Sequence, residues 1–178
     1  HLTLLAQNEK GYKNLIKLVS KAWLEGFYYK PRIDKEILKE YSEGLICLSG
    51  CPSSEVSKAL LANNYDLAKK LVYEYLEIFG KENFYLEVDY HPKIEDARKL
   101  KSLLVKLSEE TKIPLVVTYD SHYPYPEDAS VHDVFLAIQT GKDIDDEERM
   151  TMRQDDFSLA PAEVIYELNK DIPQAIKN

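Results

Sequence analysis

Cysteine is scarce in this chain, with Cys47 and Cys51 the only two among 178 residues. That excludes a disulfide framework, and it excludes a lone zinc knuckle, which needs two more ligands close by. A reducing, cytoplasmic setting is the simplest reading of such cysteine usage. Long apolar runs are missing too: the longest extend about five residues, against roughly 20 for a helical membrane span. Cations are outnumbered, giving a formal net charge of -8. The surface as a whole therefore repels nucleic acid, and any DNA contact has to be local, helped by cations, or made by another part of a larger protein. The few glycines serve mostly as helix stops and turns, and they form no phosphate-cradling loop, dinucleotide fingerprint or nucleophile elbow. No methionine or signal peptide opens the chain; His1 leads straight into the run Leu2 to Ala6, which reads as a cut made inside a domain.

What is present suits one domain with a real core, since 44% of the residues are hydrophobic and 11% aromatic, in the range of soluble globular chains. After the opening strand-like run, Asn8 is placed to cap a helix carrying Leu15, Leu18, Val19, Ala22 and Trp23 at helical spacing. A shorter helix with Ile37, Leu38 and Tyr41 follows Pro31 and Asp34, and Leu45 to Leu48 reads as a short buried strand. Ser53 or Ser54 can cap the next helix. The clearest helix, Asp66 to Phe79, carries Ala68, Leu71, Val72, Tyr75, Leu76 and Phe79 on one stripe and stops at Gly80. Phe84, Leu86, Val88 and Tyr90 alternate with Tyr85, Glu87 and Asp89, the period of a strand with one more polar face. A helix from about Pro92 to Thr111 then leads to the strand Ile113 to Val117. The order predicts an α/β fold with mostly parallel strands, in an open sheet or a barrel; four strands are too few to close a barrel. A helix with Val131, Val134, Phe135 and Ile138 runs from Pro126 to Gly141. Residues 143–156 are charged and aperiodic, as in an exposed connector, and a last short helix starts near Pro161.

Chemistry concentrates at strand ends. Asp120 and His122 follow an apolar strand and stand two apart, so in extended backbone both side chains share a face and can approach one ion. Cys51 follows another strand end and precedes a helix start, where a thiolate gains from the positive helix end and can ligate a metal; small core packing is its alternative role. Cys47, inside its apolar run, reads as core. His91 lies at a third strand end as a supporting or substrate-contact candidate. Glu87 and Asp89 suit either an inward base or ligand, or a solvated strand face. His132 reads as a structural histidine, and Lys30, Arg32 and Lys35 as either a phosphate contact or plain surface.

The segments His1 to Asn8, Gly11 to Ser20, Gly26 to Asp34, Glu43 to Cys51, Thr118 to Tyr123 and His132 to Gly141 resemble, in the same order and spacing, the PHP (polymerase and histidinol phosphatase) domain of the bacterial DNA polymerase III alpha subunits. The form in the Gram-positive second replicase is less similar around Tyr29 to Asp34. The resemblance implies a distorted (β/α)7 barrel, of which this chain is an N-terminally truncated part. Residues 1–142 would belong to the PHP domain, and residues 143–178 to a connector and the start of the link to the polymerase palm. It implies a cluster of up to three divalent metal ions (zinc, manganese or iron) held by nine side chains. Of these, His1, Cys51, Asp120 and His122 match positions here, and five would lie upstream. The assignment of His1 rests on the resemblance alone, since His1 precedes its strand.

Family members with intact ligands act as 3'-5' proofreading exonucleases through a metal-activated water, with no catalytic side chain assigned; here His91 stays as a candidate. Others serve as scaffolds that dock a separate proofreading exonuclease subunit. Retention of all four matching ligands favours the active type. Tyr119 stands where the family usually has Asn, Pro52 where Leu is common, and Ser54 where Gly is common. The implied partners are DNA, through the full-length polymerase, and other subunits of the polymerase III holoenzyme, with no membrane. The aspartates that hold magnesium for nucleotide addition would follow Asn178.

Overall fold

The parallel pairing expected from alternating strands and helices holds for three of four strands. A computed structural model describes residues 1–178. Strand β1 (Thr3–Ala6) runs antiparallel to β2 (Leu45–Leu48), while β3 (Phe84–Asp89) and β4 (Leu115–Thr118) continue parallel to β2, in spatial order β1-β2-β3-β4. Around them lie α1 (Glu9–Leu24), α2 (Lys35–Glu40), α3 (Glu55–Leu61), α4 (Tyr65–Phe79), α5 (Glu95–Thr111), α6 (Ala129–Thr140), α7 (Ala162–Leu168) and α8 (Pro173–Lys177), with a 3-10 turn at Pro126–Asp128 before α6.

Local chemistry sets these boundaries. The Asn8 carboxamide oxygen accepts from the Gly11 amide at 2.9 Å and starts α1, and Asp34 and Asn64 cap α2 and α4 in the same way, satisfying amides that have no partner within the helix. Helix α5 begins at Glu95 rather than Pro92, because the Ile94 amide closes a turn onto the His91 carbonyl at 3.0 Å. Gly11 is needed where α1 meets the turn before β2, since a Cβ there would lie 1.8 Å from the Gly44 carbonyl oxygen.

The core runs from Leu18 of α1 through Cys47, Phe84, Leu86 and Val88 of the sheet to Val72, Leu104 and Leu107 of the covering helices, and it takes in Ile172 and Ala175 near the chain's end. Each large side chain buried there stabilises the fold by about 1.5–3 kcal/mol. Helix α8 packs on β4, where the Asn178 carboxamide donates to the Leu115 carbonyl at 2.8 Å. Two helices bury less than their apolar periodicity suggests. Val19 and Trp23 of α1 are exposed, and Val131, Val134, Phe135 and Ile138 of α6 face outward while Asp133, Leu136 and Ala137 turn inward. Asp133 holds that orientation by accepting two bonds from the Arg149 guanidinium, at 2.8 and 2.6 Å.

Candidate metal centre

Antiparallel pairing explains a residue that strand-end reasoning alone passes over. Thr3 sits opposite Leu48, so the beginning of β1 lies beside the end of β2. His1 and Cys51 thereby meet, Nδ1 to Sγ at 3.4 Å. The turn that carries Cys51 depends on Gly50, whose φ is 88° and whose Cβ, if present, would lie 2.6 Å from the His1 carbonyl oxygen, a backbone only glycine adopts freely. Across the sheet, β3 and β4 are in register with Asp89 opposite Thr118, so the loops after both leave at one level. There His122 Nε2 lies 2.9 Å from Asp120 Oδ2, and both side chains are partly open to solvent.

Glu87 stands between the two pairs. Its carboxylate is buried at the end of β3, where a solvated face was one of two readings, because a central parallel strand is covered on both faces. One oxygen accepts from Thr3 Oγ1 at 3.2 Å and the Gly50 amide at 3.0 Å; the other accepts from Thr118 Oγ1 at 2.9 Å. Ser49 Oγ accepts the Glu87 amide at 2.9 Å. Glu87 therefore ties the loop of Cys51 and the start of β1 to the strand that delivers Asp120.

The donor types suit a divalent metal. A tetrahedral zinc holding one imidazole nitrogen and one thiolate sets those atoms about 3.5 Å apart, close to the separation of His1 and Cys51. Asp120 with His122 offers carboxylate and imidazole in direct contact. The four residues come together as two pairs at one end of the sheet: no three or more His, Cys, Asp or Glu side chains gather closely enough to hold one ion. Their strands β2 and β4 are two strand spacings apart, about 10 Å, with β3 and Glu87 between them.

His91 is buried and lies against the same rim. Its ring stacks on Phe157 at 4.1 Å and tilts against Tyr119 at 5.0 Å. Nε2 is 3.4 Å from Asp89 Oδ1, within ion-pair reach but outside hydrogen-bond geometry, so both ring nitrogens lack a hydrogen-bond partner. Burial pulls the His91 pKa down, and the carboxylates of Asp89, Asp155 and Asp120 outweigh it, so the net direction is upward. Burial likewise pushes the Tyr119 phenol up to about 12, with Asp156 and Asp155 adding to it.

Residues 156–159, at the end of the charged stretch after α6 and just beyond it, form a strap over this loop. The Phe157 carbonyl accepts the His122 amide at 2.8 Å, the Phe157 amide donates to the Tyr123 hydroxyl at 3.0 Å, and the Leu159 amide donates to the Tyr123 carbonyl at 2.9 Å. Tyr119 Oη donates to the Asp156 carbonyl at 2.8 Å. The Phe157 ring also meets His122 edge-on at 5.9 Å. Neither the strap nor the role of Asp133 was foreseen in the sequence; the one signal was an aromatic residue, Phe157, in an otherwise polar run. His132 packs its ring on His122 and Tyr123. Cys47 is fully buried, and burial pushes its thiol pKa far up, as a core cysteine requires. Lys35 pairs with Glu74 and Glu55, whereas Lys30 and Arg32 are exposed.

The model of the PHP domain family matches residues 1–91. Along its whole length the chain is 45% identical to the DNA polymerase III subunit alpha of Borreliella burgdorferi, covering 15% of that protein. It is 41% identical over 188 aligned positions to the protein of that name from Helicobacter pylori, again the whole chain against 15% of the relative. With the Thermus aquaticus protein it shares 42% identity over 98% of the chain and 14% of the relative. The chain thus spans about 15% of the length of the curated relatives it matches.

Proposed function

Because the chain belongs to the PHP domain family, we propose that it forms part of the PHP domain of a replicative DNA polymerase III alpha subunit, and that its strand ends help hold the divalent metals of a 3'-5' proofreading exonuclease. In this reading residues 1–142 are part of a distorted (β/α)7 barrel, residues 143–178 lead toward the polymerase palm, and the protein works on DNA in the cytoplasm with other subunits of the replicase. His1, Cys51, Asp120 and His122 are ligands to zinc, manganese or iron, up to three ions in the complete domain. The observation that carries the reading is the approach of His1 to Cys51, two strong metal-ligand types fifty positions apart, at 3.4 Å.

Bound divalent cations supply a water nucleophile at neutral pH and neutralise charge on a scissile phosphodiester. The chain's own residues prepare that site. Glu87 holds the Gly50 turn and Thr118 in fixed relation, His91 and Phe157 brace the loop of Asp120 and His122, and the partial exposure of that pair leaves room for a strand end. The test is metal content, with release of 3' nucleotides from a labelled single strand, for the polymerase-length protein beside its Asp120→Ala and His122→Ala versions. Loss of metal and of digestion in both variants supports the reading; equal digestion by all three refutes it.

A second reading, a docking scaffold in which the metals serve stability, is favoured by the outward apolar face of α6. Val131, Val134, Phe135 and Ile138 follow the spacing by which a helix offers one face to a partner, and the partner would be a separate proofreading exonuclease subunit. Unfolding on metal removal, with no cleavage under zinc, manganese or iron, selects this reading.

A further inference from the structure

Between Lys17 and Lys35 the chain departs from its acidic average, with five cations against the two carboxylates of Glu25 and Asp34. Glu25 engages Lys21, and Glu55 and Glu74 engage Lys35, which leaves Lys17, over the Tyr41 ring at 5.3 Å, and the exposed Lys30 and Arg32 without carboxylate partners. The same segment holds four aromatic rings in solvent: Trp23 is 59% exposed, Phe27 53%, Tyr28 64% and Tyr29 81%. They are ordered against one another. Trp23 stacks on Phe27 with centroids 5.6 Å apart, Tyr28 meets Tyr29 edge-on at 4.6 Å, and the Arg32 guanidinium lies 5.2 Å from the centre of the Tyr28 ring.

The loop is built to hold this display. The Tyr28 amide donates to the Lys30 carbonyl at 3.1 Å, and a Cβ on Gly26 would lie 1.9 Å from the Arg32 carbonyl oxygen, so the two limbs of the turn are pressed together. At its tip Tyr29 has φ 59°, a strained left-handed backbone that is an outlier for a bulky residue. An apolar collapse would turn these rings inward; here strained backbone keeps Tyr29 out.

The loop also leads somewhere. Residues 31–35 line a cavity of about 780 Å³ that His1, Leu2 and Glu55 also line, Glu55 being paired with Lys35. We propose that Trp23, Phe27, Tyr28 and Tyr29, with Lys30 and Arg32, form a binding face for single-stranded nucleic acid whose end is directed through this cavity toward His1 and Cys51. Exposed ring faces accept unpaired bases, which a duplex hides, and two unpaired cations beside them match a phosphate backbone. The placement deepens the exonuclease reading and rests on it for direction, whereas binding itself needs no metal.

The experiment titrates the full 178-residue chain, in EDTA, into a fluorescein-labelled thymidine strand of about 12 nucleotides and into the matching duplex, reading anisotropy. The single strand is expected to bind saturably and more tightly than the duplex. Tyr28→Ala and Tyr29→Gly should each weaken it by about tenfold, within the ~1–3 kcal/mol that a stacked base is worth, while Tyr28→Phe retains binding. Tyr29→Gly also relieves the positive φ, so its melting temperature should hold or rise, and its binding loss then comes from the missing ring. Lys30→Ala and Arg32→Ala should each lower the slope of log affinity against log salt by about 0.7. Duplex binding as tight as single-strand binding, or strand binding indifferent to the ring variants, overturns the proposal and leaves the face to a protein surface. Since metal is excluded throughout, failure here is separate from failure of the exonuclease reading.

Discussion

Removing the Glu87 carboxylate should loosen both halves of the candidate centre at once, and the size of the effect follows from its partners. In Glu87→Ala the buried Gly50 amide loses its acceptor, and a buried donor left alone costs about 1–3 kcal/mol. The hydroxyls of Thr3 and Thr118 can rotate toward other acceptors. One buried methylene disappears as well, at about 0.8 kcal/mol, the space left by the carboxylate adds a cavity cost, and relief from burying a charge offsets part of the sum. The expected loss is about 2–4 kcal/mol. Glu87→Gln differs in kind. Its oxygen still accepts from Gly50, and its amino group donates to Thr118 Oγ1, which turns to accept, so only the charge-assisted part is lost, about 1 kcal/mol. Urea unfolding with a slope near 2 kcal/mol per M translates these into midpoint shifts of about 1–2 M for Ala and about 0.5 M for Gln. Equal shifts for the two variants, or an Ala shift as small as that expected of Gln, would refute the claim that this carboxylate is an acceptor hub.

Arg149→Met should cost about 1–3 kcal/mol by removing two of the bonds to the buried Asp133 carboxylate, which keeps Thr151 Oγ1 at 2.8 Å and Arg153 at 3.9 Å. Arg149 holds the Asp133 pKa down to about 2. A depressed carboxylate pKa stabilises the fold above its ordinary value near 4 and loses that contribution as pH falls toward 2; acid titration of unfolding should show a smaller loss in the variant, where only Thr151 and Arg153 still favour the charged form. The His91 pKa is raised, so its contribution is full below the unfolded value near 6.5 and fades as pH rises through the folded value. An NMR titration of its ring should find the midpoint above 6.5, and Asp89→Asn should move it downward. Gly11→Ala should lower the melting temperature by the equivalent of about 1–3 kcal/mol, as overpacking does, although alanine is the better helix former; a rise would show that α1 can shift freely away from Gly44.

Much of the fold was legible because its signals are local. Asn8, Asp34 and Ser54 stand as caps where helices start, and Ala68, Val72, Tyr75 and Phe79 recur at helical spacing on the buried side of α4. The antiparallel turn of β1 was hidden, since a four-residue strand carries no mark of its direction, and with it went the physical reason for placing His1. Asp120 beside His122 was readable from their two-residue spacing together with their place at the end of an apolar strand. The part of Glu87 was not, because alternation along β3 cannot tell a face bathed in water from one covered by neighbouring loops. Exposure of the α6 stripe was illegible for a related reason: which side of a helix turns inward depends here on Arg149, sixteen positions beyond Asp133.

The strap through Phe157 joins two distant stretches by main-chain bonds, with the His122 amide and the Leu159 amide held in the same short ladder. Protection of these two amides from hydrogen exchange should therefore rise and fall as one cooperative unit, and whatever tugs on the polypeptide after Leu159 reaches His122 within a few covalent links. Deuterium uptake at that pair is thus a gauge of mechanical strain arriving at the rim from downstream.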